Sequence, residues 1–146
     1  MNENVYAILP DKGGNLLLGT LSALVSFNPE KKSFTTIDKE KDGTPFTSQR
    51  ITILFRDSHK RLWIGGEEGI SVFQQEGLEI EKVPILPESS VTKTFTNCIY
   101  EADNGIIWVG TREGFYCFNE KEKKIRTISY MTGHWWSLLL MHLEWE

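Results

Sequence analysis

Apolar and polar residues alternate in short stretches along this chain, without the spacing of an amphipathic helix. Clusters of Gly, Asp, Asn, Pro or Lys interrupt the apolar runs every 8 to 12 positions. Turn residues at that interval are typical of short antiparallel strands, because Asp and Gly supply the local hydrogen bonds and the positive φ angles of tight turns. The pattern therefore predicts an all-β chain.

The strand pattern recurs along the chain. Three 12-residue segments align without gaps, and they read ILPDKGGNLLLG from residue 8, LFRDSHKRLWIG from residue 54 and IYEADNGIIWVG from residue 99. Each segment ends in a glycine, and a phenylalanine follows eight residues later in every unit: Gly19 and Phe27, Gly65 and Phe73, Gly110 and Phe118. Two anchors that share the same intervals of 46 and 45 residues identify an internal repeat.

Each unit is predicted to contain four short strands. The expected strands are 5–9, 16–20, 23–27 and 33–37, then 51–55, 61–65, 69–73 and 78–83, then 96–100, 106–111, 115–118 and 124–130. A four-stranded antiparallel meander of this length is the size of one β-propeller blade. Central strands such as LLL and LWI are apolar on both faces, which favours blades that are covered on both sides by neighbours.

The predicted fold is thus an incomplete all-β propeller over residues 1–130. Its three blades are expected at about 5–37, 50–83 and 95–130. Known propellers close with about four blades or more, so three blades leave the ring open.

The repeat resembles a known family. The motif D-x-x-G/K-x-L-W-I-G-T/G, followed by an apolar stretch that ends in Phe, is present at 57–66 and 104–111, and at 11–20 with Leu17 in place of Trp. It resembles the two-component regulator propeller repeat, which is found in the sensor region of Bacteroidetes hybrid two-component systems. The resemblance implies a periplasmic location, a response to breakdown products of polysaccharides, and a separate histidine kinase in the parent sensor.

The tail at 131–146, MTGHWWSLLLMHLEWE, departs from the repeat because it lacks both the turn signals and the motif. One interpretation is an atypical strand or an amphipathic end segment. The other is a truncated or frame-shifted end, since one allowed set of codons for these residues encodes a repeat-like stretch when read two nucleotides later. The genomic DNA sequence distinguishes the two interpretations.

Composition narrows the function classes. With 16 basic and 20 acidic residues the net charge is −4, which argues against nucleic-acid or anionic-membrane binding by this segment. The chain contains neither a run of 18 apolar residues nor the basic flank of a signal peptide. Cys98 and Cys117 are interpreted as small buried residues, with a disulfide as the alternative in the periplasm. His59, His134 and His142 lack metal-ligand spacing, so no metal and no cofactor are expected.

Recurring residues are interpreted as structural. Trp63 and Trp108 occupy the same repeat position, and we expect them to pack between blades rather than to stack on sugar rings. Asp11 and Asp57 recur in the same turn, which favours a turn role over catalysis. The charged segments 28–32 and 119–124 are expected to be solvated hairpins.

The connectors between units, 38–50 and 84–95, are the expected location of binding groups, because loops carry such groups on rigid scaffolds. In a propeller these connectors reach one end of the central channel. The candidate ligand-binding residues are Thr47, Gln49, Arg50 and Lys93.

Two principal functions are consistent with the sequence. The first is a non-catalytic ligand-sensing fragment of a two-component regulator that responds to oligosaccharides. The alternative is a propeller that serves as a protein-interaction scaffold without a small ligand. A propeller lyase or hydrolase would need convergent acids, bases or metal ligands, and the sequence offers no catalytic residues of that kind.

An open arc of three blades exposes more apolar sheet surface than a stable monomer normally does. We therefore expect the isolated chain to aggregate or self-associate, unless neighbouring blades cover it. Light scattering on purified protein measures this directly, and a stable monomer would contradict the predicted arrangement.

Overall fold

The computed structural model of the chain describes residues 3–46, 50–87 and 90–128. Within these ranges, twelve strands form three four-stranded antiparallel sheets, each a simple meander in chain order. The all-β fold class predicted from the sequence is confirmed. The tail at 131–146 lies outside the described residues.

The strand bounds differ from the predicted ones by at most three residues where both are described. The first sheet contains β1 (Val5–Pro10), β2 (Leu16–Thr20), β3 (Leu24–Asn28) and β4 (Ser33–Ile37). The second contains β5 (Ile51–Arg56), β6 (Leu62–Gly66), β7 (Gly69–Glu76) and β8 (Glu79–Lys82). The third contains β9 (Thr96–Glu101), β10 (Ile107–Thr111), β11 (Gly114–Asn119) and β12 (Lys124–Ile128).

The three sheets converge along their first strands. Strand β5 contacts β1 and β2 of the first sheet, and β9 contacts β5 and β6 of the second. No comparable contact joins the fourth strands β4, β8 and β12 to one another. The sheets therefore fan outward from β1, β5 and β9, as blades do around a propeller axis.

Two apolar cores hold the sheets together, one on each face of the second sheet. Because successive side chains of a strand point to opposite faces, Leu62 and Ile64 pack against the first sheet while Trp63 packs against the third. The buried residues of the first core are Leu17, Leu24, Ile37, Ile51, Leu62, Ile64, Phe73 and Ile80. Those of the second core are Trp63, Ile70, Val72, Ile107, Val109, Tyr116 and Phe118.

The tryptophan that recurs in the repeat is fully buried in the second sheet and half-buried in the third. Trp63 is fully buried, as predicted, and lies 6.4 Å from the Phe118 ring of the third sheet. Trp108 is only half-buried and contacts Phe115 within its own sheet. Trp108 lies on the face of the third sheet that is turned away from the second, so the expectation of packing between blades holds for Trp63 only.

The repeated glycines allow the sheets to approach closely. A Cβ atom added at Gly19 would lie 2.6 Å from Cγ2 and 2.8 Å from the carbonyl oxygen of Ile51 in the second sheet. A Cβ atom at Gly65 would lie 3.0 Å from Cγ2 of Thr96 in the third sheet. The glycines that end the first two 12-residue segments thus receive the first strand of the following sheet.

A polar clamp joins the second sheet to the third and consists of Asp57, Arg61, Trp63 and Glu120. The buried Asp57 carboxylate accepts hydrogen bonds from Nε of Arg61 at 2.7 Å and from Nε1 of Trp63 at 2.8 Å. The other end of the Arg61 guanidinium donates to both oxygens of Glu120, at 2.7 and 2.8 Å. Asp57 therefore contributes more than the predicted turn. By holding Arg61, its side chain also helps to anchor the third sheet at Glu120.

The corresponding contact between the first and second sheets contains one carboxylate, whereas the clamp contains two. Asp11 accepts a hydrogen bond from Nε2 of Gln75 at 2.9 Å and one from Arg56 at 3.3 Å. Gln75 and Glu120 occupy the same repeat position, as do Asp11 and Asp57.

The interpretation of 119–124 as a purely solvated hairpin is wrong for Glu120, because its carboxylate accepts hydrogen bonds from Arg61 of the second sheet.

We expect Gly19→Ala to destabilise the protein by about 1–3 kcal/mol, because the added methyl group overpacks the junction with Ile51. Urea unfolding followed by tryptophan fluorescence measures the change. Gly77→Asn is the control, because a Cβ atom at Gly77 meets open space and asparagine tolerates its positive φ angle. Equal losses in the two variants would contradict the close approach at Gly19.

We also expect Glu120→Gln to lower the free energy of unfolding at pH 7. Hydrogen bonds from Arg61 lower the pKa of Glu120 in the folded protein, so its ionised form stabilises the fold above about pH 5 and that contribution is lost as the pH falls through the lowered pKa. The difference between wild type and Glu120→Gln should therefore shrink on acidification.

The matched control for this measurement is Glu122→Gln, which removes an exposed pair with Arg126 in the same turn. Exposed ion pairs contribute little to stability. A Glu122→Gln loss as large as that of Glu120→Gln would indicate a general charge effect instead of the clamp.

Candidate functional site

The candidate site lies at one end of the three innermost strands. This connector end carries Arg50, Phe95 and the β2–β3, β6–β7 and β10–β11 turns. The backbone N–H of Arg50 donates to the carbonyl of Leu21 at 2.7 Å, and the N–H groups of Glu67 and Arg112 donate to the carbonyls of Arg50 and Phe95. The connectors and the turns are thus joined by backbone hydrogen bonds.

A β-bulge recurs at this end in every sheet. The pairing of the first strand with the second shifts register at Tyr6, Thr52 and Asn97, which are separated by 46 and 45 residues. A bulge leaves its extra residue unpaired and redirects the side chain, and bulges are over-represented beside active sites. Tyr6 is exposed, and the Thr52 hydroxyl donates to the carbonyl of Thr96 at 2.9 Å.

Arg50 is the central charged residue of the site. Its guanidinium lies 5.9 Å from the centre of the Tyr6 ring, and its Nε is 3.9 Å from a carboxylate oxygen of Glu67. At that separation the two groups form an ion pair, because the distance is too long for a hydrogen bond. The Nε atom is buried and has no hydrogen-bond partner within the part of the chain that the structure describes. Its backbone is held at a φ of 42°, a conformation uncommon outside glycine.

An analogous pair lies one repeat further on. The Arg112 guanidinium covers the Phe95 ring at 4.0 Å from its centre. Phe95 occupies the repeat position of Arg50, and Arg112 that of Glu67. Two arginines, each against an aromatic ring, therefore line the connector end, with Glu67 as a neighbouring acceptor.

Lys93 lies beside a cleft of about 470 Å³ at the outer side of the same end. The turn that ends at Lys93 packs against Gly69, where a Cβ atom would lie 2.6 Å from the Cα atom of Lys93. The cleft is lined by both apolar and charged residues, namely Glu68, Ile70, Ser71, Val72, Lys82, Val83, Pro84, Leu86, Pro87, Thr92 and Lys93.

Two of the four residues predicted for ligand binding can be located. Arg50 and Lys93 both lie next to the β6–β7 turn, Arg50 beside Glu67 and Lys93 beside the cleft lined by Glu68. Thr47 and Gln49 lie outside the described residues. Sequence reasoning missed Tyr6, Phe95 and Arg112, although the repeat spacing that relates Phe95 to Arg50 could have indicated Phe95.

The first connector only partly reaches this end. Its residues 38–46 form a small hairpin, in which Glu40 donates its N–H to the carbonyl of Thr44 at 2.8 Å. The hairpin lies along the outer strand β8, where the N–H of Lys41 donates to the carbonyl of Ile80 at 2.8 Å. Phe46 then packs edge-on against Phe73 at 5.5 Å.

The cysteines and histidines add no further chemistry to the site. Cys98 and Cys117 are free thiols, and burial raises the pKa of Cys117. Cys117 is buried as interpreted, whereas Cys98 is exposed. His59 is in an exposed turn, and His134 and His142 lie outside the described residues. Among the described residues, no group of three His, Cys, Asp or Glu side chains is placed to hold a metal ion.

Comparison with known proteins agrees with the repeat analysis. The family model for the two-component regulator propeller matches residues 45–68 and 89–113. A curated relative, histidine kinase P4 of Formosa agariphila, is 29% identical over 87 residues, which are 58% of this chain and 6% of the kinase. The chain thus spans a small part of that relative's length.

Solved structures share the fold. The extracellular domain of BT4673 from B. thetaiotaomicron, described as a one component system, aligns with a TM-score of 0.65 and 21% identity over 87% of this chain and 17% of that one. The extracellular domain of the hybrid two component system BT3049 from the same organism aligns with a TM-score of 0.59 and 22% identity, over 86% of this chain and 17% of that one. Virginiamycin B lyase from Staphylococcus aureus aligns with a TM-score of 0.54 and 16% identity, over 86% of this chain and 41% of that one.

The structural neighbours from B. thetaiotaomicron are extracellular domains of a one component system and of a hybrid two component system. Within the described ranges, the structure contains no helix with the length and apolarity needed to span a bilayer. The two segments at 45–68 and 89–113 therefore match the repeat of the two-component regulator propeller family, one before and within the second blade and one before and within the third.

Proposed function

We propose that this chain is the non-catalytic, ligand-sensing propeller part of a two-component regulator, located in the periplasm, and that its ligand is an oligosaccharide. The observation that carries the proposal is the Arg50 guanidinium, which lies between Tyr6 and Glu67 on a side chain that is 38% exposed. Its terminal N–H groups can donate to ligand oxygens, and hydrogen bonds from a charged group contribute about 1.5–3 kcal/mol.

The chemistry of the connector end suits a polyhydroxylated ligand. Arginine presents several donors in a fixed plane, so it can bind paired hydroxyl groups or a carboxylate. Tyr6 offers an exposed aromatic face beside it, and Glu67 offers an acceptor for hydroxyl groups. Arg112 against Phe95 repeats the arginine–aromatic pair one blade further on, which gives an extended ligand a second contact point.

Signal transmission would follow from the position of these residues. Arg50 is bonded through its backbone to the first sheet at Leu21 and to the second sheet at Glu67. A ligand that prefers one relative placement of the two sheets would shift the equilibrium toward that placement. The shift would then bias a kinase elsewhere in the full-length sensor.

Thermal unfolding with a panel of neutral and acidic oligosaccharides tests the proposal. A ligand at about 100 times its Kd should stabilise the protein by about 2.7 kcal/mol, which appears as a clear rise in Tm. Arg50→Ala should weaken binding about tenfold, as expected for the loss of a charged hydrogen bond.

Lys31→Ala is the matched control, because it removes a cation from the exposed β3–β4 turn without touching the connector end. It should leave the affinity unchanged. If no oligosaccharide raises Tm, or if Arg50→Ala binds as well as the control, the proposed ligand site is wrong.

A further inference from the structure

We propose that the cleft beside Lys93 binds a free α-amino acid with a large apolar side chain. The ammonium and carboxylate groups of this ligand would pair with the backbone of Ile70 and with the charges of Glu68 and Lys93, while its side chain lies on an apolar wall of the cleft. The cleft is lined by none of the residues of the arginine–aromatic pairs, so it is a second site beside the proposed oligosaccharide site.

The cleft opens where β8 leaves the edge of β7. The paired register of the two strands ends at Phe73 and Lys82. Beyond that pair, the N–H of Val83 still donates to the carbonyl of Val72 at 2.8 Å. The N–H of Ile85 then donates back to the carbonyl of Val83 at 2.9 Å, so the chain turns away from the sheet. The first residues of β7 are therefore left without β8 beside them.

Ile70 is the residue whose backbone is left open by this turn. The N–H and carbonyl of every second residue in a strand point to the same side, and the carbonyl of Val72 points outward because it accepts from Val83. The backbone groups of Ile70 therefore point outward too. Among the residues that the structure describes, neither group has a backbone partner. Ile70 thus presents one donor and one acceptor to the cleft that it lines.

A single α-amino acid matches this pair of backbone groups. In an antiparallel ladder, the N–H and carbonyl of one residue bond to the carbonyl and N–H of the one residue opposite. A bound amino acid offers the same set, because its carboxylate accepts from the Ile70 N–H and its ammonium donates to the Ile70 carbonyl. One open position is too short to hold a strand of another protein, which needs several successive pairs.

The charges next to Ile70 complement a zwitterion. Glu68 is two residues before Ile70, and the backbone of Lys93 packs on Gly69 between them, where a Cβ atom would lie 2.6 Å from the Cα atom of Lys93. Glu68 and Lys93 are both exposed, line the cleft and form no ion pair with a described residue. A carboxylate and an ammonium at the same end of the cleft favour a ligand that carries both charges close together.

The wall behind these groups is apolar. Ile70 and Val72 belong to the second core, and Val83 and Leu86 pack against it. All four residues line the cleft, whose volume is about 470 Å³. Small-ligand sites commonly enclose about 300–1,000 Å³ and combine apolar walls with a few polar groups. An aromatic or branched side chain would thus lie on a wall that the core already orders.

Two-dimensional ¹H–¹⁵N NMR of the full chain titrated with L-phenylalanine tests this inference. The amide signal of Ile70 should shift and saturate, because its N–H gains an acceptor. N-acetyl-L-phenylalanine lacks the ammonium and L-phenylalaninamide lacks the carboxylate, so each should bind at least about tenfold more weakly. Glycine lacks the apolar side chain and should also bind at least about tenfold more weakly.

Glu68→Gln and Lys93→Gln should each weaken the binding of L-phenylalanine about tenfold through the loss of a charged hydrogen bond. Lys82→Gln is the matched control in the same cleft, since Lys82 pairs with Phe73, about 10 Å along β7 from Ile70; it should leave the affinity unchanged. The proposal would be overturned by the lack of a saturable shift at Ile70 or by equal binding of L-phenylalanine and its N-acetyl derivative. Binding of the peptide trileucine without binding of L-phenylalanine would overturn it as well, in favour of a peptide site.

Discussion

The close approach of each first strand to the glycine of the preceding sheet determines the rest of this structure. Gly19 and Gly65 leave room for Ile51 and Thr96, so successive sheets come into contact along their inner strands. That contact brings the apolar faces of neighbouring sheets together and buries Trp63 and Tyr116 almost completely. A side chain larger than hydrogen would overpack the first core's junction at Gly19 or the second core's junction at Gly65.

Polar interactions are confined to the ends of the sheets because their faces are occupied by apolar packing. At one end, the clamp of Asp57, Arg61, Trp63 and Glu120 satisfies every charge that it partly buries. At the connector end, Arg50 is less completely satisfied, since its Nε has no hydrogen-bond partner among the described residues. The contrast separates a structural network from a site whose arginine side chain is still 38% exposed.

Local sequence was sufficient to predict the blades but not the contacts between them. The Gly and Phe anchors located all three sheets because each sheet is built from segments that are neighbours along the chain. Strand β7 continues to Glu76, beyond its predicted end, because the turn that follows it comes at Gly77. Arg61 and Glu120 are 59 residues apart, so no local pattern connects them. Bulged positions such as Tyr6 likewise depend on strand register, which composition does not reveal.

The hairpin of residues 38–46 also has a consequence for the outer rim. An outermost strand normally presents a free row of N–H and carbonyl groups that can recruit a strand from another molecule. On β8, the carbonyl of Ile80 is bonded to the N–H of Lys41, and the N–H of Lys82 is bonded to the Glu40 carboxylate. The connector thereby closes the rim of the second sheet against strand addition, and growth of this protein by edge-to-edge pairing is blocked at its middle blade.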